Sequence, residues 1–121
     1  MDQQPAPPMT IDDFTKVDIR LGRVLAAEPL AGARKPAYKL RIDFGPILGI
    51  KASSAQLTER YRPEELVGRL VLGVVNLPPR RVAGFNSETL TLGLADHEGA
   101  VVLLAVDPAW ADTVPLGARM F

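Results

Sequence analysis

No cysteine occurs in the 121 residues, which excludes disulfide cross-links, thiolate metal sites and thiol nucleophiles. A single histidine, His97, leaves no pair of imidazoles for a metal or a catalytic relay. Long apolar runs are also missing. The longest, residues 100–106, is seven residues, against the ~20 that a membrane-spanning helix needs. The opening MDQQPAPPM has acid and proline where an export signal carries basic charge followed by an apolar stretch, so export by that route is not expected. Together with the absence of cysteine this points to the cytoplasm. Net charge is absent too, with fourteen basic residues against fourteen acidic. That balance excludes an indiscriminate, histone-like nucleic-acid binder.

What is present is enough apolar side chain, 47% of the chain, for one self-sufficient core. Residues 1–10, rich in proline and glutamine, cannot offset the entropy of ordering them, so they are expected to form a flexible tail, with 11–121 as the single domain. The balanced charge is unevenly placed. Residues 1–19 sum to −3 and residues 86–121 to −4, whereas residues 20–85 carry twelve basic side chains against Glu28, Asp43, Glu59, Glu64 and Glu65, a sum of +7. Such sorting permits an anionic partner, and equally an ordinary mixed surface.

Thr10 and Asp13 resemble a capping box, and Ile11, Phe14 and Val17 follow at helical spacing, predicting one short opening helix. Ile19 and Leu21 alternate with polar positions in a first strand, with Gly22 marking a bulge or bend before Val24 and Leu25. Pro29, Gly32 and Pro36 bracket a loop. Beyond it Tyr38, Leu40, Ile42 and Phe44 form the apolar face of a second strand whose other face is basic. A turn at Gly45 and Pro46 leads into a third strand over residues 47–51 and a polar stretch. Pro63, Glu64 and Glu65 open a short helix that Gly68 stops. Residues 69–76 read as a strand buried on both faces, and Pro78 with Pro79 forbids pairing beyond it. Leu90, Leu92 and Leu94 alternate in a further strand, and residues 101–106 pair back on it across the turn 96–99. Five or six strands with short turns and few helices predict an all-β small antiparallel barrel, closed or nearly so, with helical plugs.

Nothing in this pattern nominates a catalyst. His97 falls in a turn, and the pairs Asp12–Asp13 and Glu64–Glu65 sit where helix N-termini favour acid. Ser53 and Ser54 lack a Gly-x-Ser-x-Gly turn, and the GARKP loop lacks the spacing of a phosphate-cradling loop. A non-enzyme without metal or cofactor is expected. What remains suits a phosphate or an unstacked base. Arg34, Lys35, Lys39 and Arg41 surround one loop and the following strand; Lys51, Ser53 and Ser54 lie on its partner; Asn76, Arg80 and Arg81 form a second polar cluster. Phe85, ahead of Tyr61, is the candidate stacking ring. Lys39 with Arg41 reads equally as a solvated face, and Tyr61 as packing for a short helix.

The runs DFTKVDIRLGRV, ARKPAYKLRIDFG, GIKASSAQLT, PEELVGRLV and NLPPRRVAGFNSETLTLG resemble, in that order, the CsaA family of bacterial chaperone-like proteins, over residues 11 to about 121. That family belongs to a wider group of tRNA-binding OB-fold domains, which includes the C-terminal domain of some bacterial methionyl-tRNA synthetases. The wider group's recurring residues resemble Asn76, Pro79, Arg80, Arg81, Gly84 and Ser87, with Pro63 to Gly68 upstream. The resemblance implies a five-stranded OB-fold and a homodimer that binds tRNA or other structured RNA through its basic face. For the CsaA branch it also implies binding of unfolded or precursor polypeptides. Two readings follow. An RNA binder engaging about five cations should lose affinity with salt at a log–log slope of roughly −3.5 to −4.5. A polypeptide binder holding extended chain on apolar surface at a dimer groove that includes Leu77, Val82 and Phe85 should respond little to salt. The opening helix and residues 110–121 are the expected dimer contacts, with Trp110 equally readable as a cap on the barrel.

Overall fold

The computed structural model describes residues 4–121; the first three residues of the expected flexible tail lie outside the described part, and residues 4–10 are exposed and form no helix or strand. The first helix, α1 (Ile11–Phe14), opens on the reciprocal capping box. Thr10 Oγ1 accepts from Asp13 N at 3.1 Å, and Asp13 Oδ2 accepts from Thr10 N at 3.2 Å. These bonds hold the Asp13 carboxyl below its usual range. The helix buries none of its residues.

The long strand β1 (Ile19–Pro29) is the spine of the molecule. It pairs antiparallel with β2 (Tyr38–Asp43) through its C-terminal half and with β4 (Leu70–Val74) through its N-terminal half. β2 pairs in turn with β3 (Ile50–Ala55), and β4 with the two-residue β7 (Leu90–Thr91), giving the order β3-β2-β1-β4-β7. One strand serves two partners by pairing through consecutive segments, residues 19–23 with β4 and 23–29 with β2. Its bulge falls between Val24 and Ala26, not at Gly22 as the sequence suggested. Gly22 instead provides clearance, since a Cβ there would lie 2.5 Å from Ile42 Cγ2 and 2.8 Å from Phe44 Cε1. Glycine lets β1 pass directly over the core.

Closure of the sheet rests on Ser53. Its side chain is fully buried, its hydroxyl donates to the Thr89 carbonyl at 3.1 Å, and it shares a 2.8 Å bond with Thr91 Oγ1. Glu88 N and Thr89 N both donate to the Ala52 carbonyl, and the Glu88 carboxylate accepts from Ala52 N at 2.9 Å. β3 and β7 are thereby stitched together without forming a regular ladder, and the result is a nearly closed five-stranded antiparallel barrel of OB type. Inside it Val24, Leu40, Ile42, Phe44, Leu57, Leu66 and Val71 are almost wholly buried, each contributing ~1.5–3 kcal/mol of transfer free energy. Leu66 comes from α3 (Pro63–Leu66), a short helix whose buried side chain joins the core as the expected helical plugs would.

Several local readings differ from expectation. The β2–β3 connection contains a helical turn, α2 (Gly45–Leu48), so the third strand begins at Ile50 instead of Ile47. The chain does pair again beyond Pro78 and Pro79: β5 (Arg80–Val82) and β6 (Phe85–Ser87) form a hairpin with Val82 opposite Phe85. Its two-residue turn has positive φ at both Ala83 (49°) and Gly84 (79°), the geometry that matches strand twist. β4 ends at Val74, ahead of the prolines, and the prolines leave the next N–H groups free to pair, which the sequence reading overlooks. A last hairpin, β8 (Gly93–Ala95) with β9 (Val101–Leu103), carries exposed His97 in its turn. Residues 117–120 return along β1 through bonds between Leu21 N and Ala118 O, Gly117 N and Leu21 O, and Met120 N and Ile19 O.

Candidate nucleic-acid interface

The β1–β2 loop and the β5–β6 hairpin face one another. A Cβ placed on Gly32 would lie 3.8 Å from Ala83 Cβ. Between these two segments runs a cleft of about 700 Å3. Arg34 and Lys35 stand on one rim and Arg80 and Arg81 on the other, although more than forty residues of chain separate the pairs. Ala37, Ser54, Ala55, Leu57, Val82 and Leu90 line the space between them. None of the described residues that line it is acidic.

The pairing of cations elsewhere sharpens this picture. Lys16 is bound to Asp13, Arg20 and Arg119 to Asp18, Arg60 to Asp96 and Glu98, and Arg62 to Glu64 and Glu65. Arg23 donates to the Gly68 carbonyl, and the Arg69 guanidinium lies 5.2 Å above the Tyr61 ring. Among the described residues, Arg34, Lys35, Arg41, Lys51, Arg80 and Arg81 are the basic side chains with no internal carboxylate, carbonyl or ring partner. Four of them are the rim residues. Cations held in a loop and a hairpin without counter-charge are set to take an external anion.

The other residues nominated from sequence divide. Lys39 is opposite Ser54 on the outward row of β2 and β3, beside the cleft, and it forms a 3.2 Å ion pair with Glu28. Arg41 is exposed on the same row, outside the cleft lining. Lys51 departs from this row. It is in register with the buried Ile42 and so belongs to the inward series, because the inserted turn α2 fixes the phase of β3. Ser54 lines the cleft, whereas Ser53 and Ser87 are buried with their hydroxyls committed. Ser87 Oγ accepts from Ser54 N at 2.9 Å and donates to the Thr89 carbonyl at 3.3 Å. Their hydroxyls are engaged in closing the barrel.

Asn76 is likewise engaged. Its Oδ1 accepts from Asp18 N at 3.0 Å and its Nδ2 donates to the Lys16 carbonyl at 2.7 Å. This pins the segment after α1 to the end of β4. Neither candidate ring lines the cleft. Phe85 is half-buried opposite Val82. Tyr61 accepts from Leu103 N through its hydroxyl, while its carbonyl accepts from Tyr38 Oη. The cleft-lining Gln56 and Leu90, which sequence reading misses, carry no motif; only closure of the barrel brings them there.

A second, smaller cleft of about 220 Å3 adjoins the first through Ser54, Arg80 and Leu90, and is otherwise walled by Leu77, Pro78, Ser87, Glu88 and Thr89. Glu88 is the acid in this wall, and its carboxylate is already used on Ala52 N.

A small barrel with an anion-ready cleft between a loop and a hairpin matches known proteins in sequence and shape. Residues 19–114 match the family described as "Putative tRNA binding domain". The chain is 39% identical over 103 residues, 85% of its length, to the methionine–tRNA ligase of Methanocella arvoryzae, and 42% identical over 99 residues, 82% of its length, to that of Thermotoga maritima. In each case it spans only 15% of the ligase. Among solved structures it resembles the chaperone CsaA of Bacillus anthracis (46% identity, TM-score 0.85, 95% of this chain and 100% of that one). The CsaA chaperone protein of Picrophilus torridus is similar (41%, TM-score 0.85, 94% and 100%). The chain belongs to the tRNA-binding domain family and, within it, is CsaA-like. That family is a binding domain and not a catalytic one. No helix among the described residues is long and apolar enough to cross a membrane.

Proposed function

We propose that this protein binds tRNA, or another structured RNA, without catalysing a reaction on it, and that the cleft between the β1–β2 loop and the β5–β6 hairpin is where the RNA lies. One observation carries the reading: among the described residues, Arg34, Lys35, Arg80 and Arg81 border a cleft with no acidic lining and have no internal partner. Lys39, Arg41 and Ser54 extend the path along the outward row of β2 and β3. Phosphate oxygens would replace the missing carboxylates, and release of condensed counterions would supply most of the affinity.

Polypeptide binding is a second activity of the same protein in this proposal, supported by the description of two similar structures as CsaA chaperones. Half-exposed Leu77 and Leu90 in the smaller cleft offer apolar surface for an extended chain. The protein acts in the cytoplasm as a homodimer. Ile11, Trp110 and Phe121 expose most of their side chains near the termini, which supports a second copy there.

The test is a titration of bulk tRNA and of an unfolded apolar polypeptide against wild type and against Arg80→Ala with Arg81→Ala, alongside a solution mass. Loss of tRNA binding with polypeptide binding retained is expected, with a mass of two chains. Unchanged tRNA affinity in the variant would refute the site.

A further inference from the structure

We propose that residues 5–8 are a docking segment for a protein partner that carries a polyproline-reading groove, walled by aromatic rings and edged with hydrogen-bond donors. The sequence there is Pro5, Ala6, Pro7, Pro8. Each proline fixes its own φ at about −65° and drives the residue before it out of the α region. The segment is therefore held as extended polyproline II before any partner arrives. Thr10, with φ −90° and ψ 163°, continues the extension to the start of α1. Residues 4–10 are exposed and in neither helix nor strand. Among the described residues, no backbone–backbone hydrogen bond involves residues 5–9. The prolines thus serve no packing within the domain.

The chemistry of the segment specifies the partner. Polyproline II turns once in three residues, so Pro5 and Pro8 share one ridge about 9 Å apart, while Pro7 falls on another. Pyrrolidine rings on a ridge are gripped between aromatic side chains, at little cost in freedom because the backbone is already ordered. Three of the four residues lack an N–H, so the strip accepts hydrogen bonds and hardly donates them; the groove must supply the donors. Charge narrows the partner further. Residues 3–11 carry no charged side chain, and Asp12 and Asp13 follow. Asp13 is held by Thr10 N and Lys16, whereas no ion pair among the described residues takes Asp12. The groove therefore ends in a basic or neutral surface, not an acidic one. Position gives the segment its use. The capping box fixes where it leaves the domain, shortly before β1 begins, whereas the cationic cleft opens off the loop beyond the far end of that eleven-residue strand. A partner can hold the segment while the cleft is occupied, which makes the segment a tether.

The experiment titrates the full chain with two purified polyproline-reading probes, an SH3 domain and a WW domain. It uses wild type, Pro5→Ala with Pro8→Ala, and Ala6→Ser. All three positions are exposed and outside the core, so thermal unfolding should be the same in each protein. At least one probe should bind wild type and Ala6→Ser alike, and the double variant at least about tenfold more weakly. Binding of neither probe, or equal binding of wild type and the double variant, would overturn the proposal. A second copy of this chain is the competing occupant. Trp110 is the single tryptophan and is exposed, so its fluorescence reports that use. If the double variant, with no probe present, shifts Trp110 emission and lowers the solution mass, the segment belongs to a second copy and the proposal is overturned.

Discussion

Gly32 and Ala83 sit so close that a methyl group added to Gly32 would rest 3.8 Å from that of Ala83. The loop bearing Arg34 and Lys35 and the hairpin bearing Arg80 and Arg81 thus meet at their tips, and the cleft is defined by that meeting.

Ala83 meets this geometry at a cost, since its φ of 49° is one that a side chain with Cβ disfavours. Ala83→Asn should stabilise the fold by about 0.5–1 kcal/mol, because asparagine followed by glycine suits a turn with two positive φ values. Thermal unfolding should show a midpoint a few degrees higher, with RNA affinity maintained.

Ser53, a ligand hydroxyl on the sequence reading, proves to be a closure residue. Ser53→Ala leaves the Thr91 hydroxyl without its buried partner and should cost about 1–3 kcal/mol in denaturant unfolding. The salt dependence of RNA binding by the folded fraction should not change. A variant of full stability would contradict the role given to this side chain.

Asn76→Ala offers the same contrast at the other end of the barrel. Removing the bonds to Asp18 N and the Lys16 carbonyl should destabilise the protein by about 1–2 kcal/mol and speed amide exchange of residues 10–18. The number of phosphates engaged should stay the same.

These two residues mark where sequence reading stops. The alternation of β2, the Thr10–Asp13 capping box and the Pro63 helix are local patterns, and each is legible because its partners lie within a few residues. The cationic rims are legible for a similar reason, as runs of charge beside glycine and proline. The partners of Ser53 lie thirty-six and thirty-eight residues away. A polar residue committed to closing a barrel looks, in sequence, the same as one offered to a ligand. Lys51 falls in register with the buried Ile42 because an inserted helical turn makes β3 begin at Ile50, which no local pattern around residues 45–48 announces. The β5–β6 hairpin escapes detection because alanine at a positive φ gives no turn signal.

The β8–β9 turn should contribute to acid sensitivity, beside the capping carboxylates Asp13 and Glu65, which are also held below their ordinary range. Arg60 Nε donates to Asp96 Oδ2 at 2.8 Å and its Nη2 to Glu98 Oε2 at 3.1 Å. The guanidinium, with backbone donors from Glu98 and Ala100, holds the Asp96 carboxyl below its ordinary range. Because the folded value is the lower one, the unfolded chain takes up the proton first as pH falls. The stability contributed is complete above the unfolded value and is lost as pH falls through the folded one. Arg60→Ala should therefore lower stability at neutral pH, and its difference from wild type should shrink below about pH 4. Denaturant midpoints across pH check this; a difference that grows in acid would contradict it.

The most direct test of the account is the ionic-strength dependence of bulk tRNA binding by wild type, by Arg34→Ala with Lys35→Ala, and by Arg80→Ala with Arg81→Ala. If four rim cations each displace a counterion, the wild-type log–log slope should be at least as steep as roughly −3, and each double variant should flatten it by about 1.5. Flattening by only one of the two pairs, or a wild-type affinity that ignores salt, would show that the two rims do not grip one polyanion.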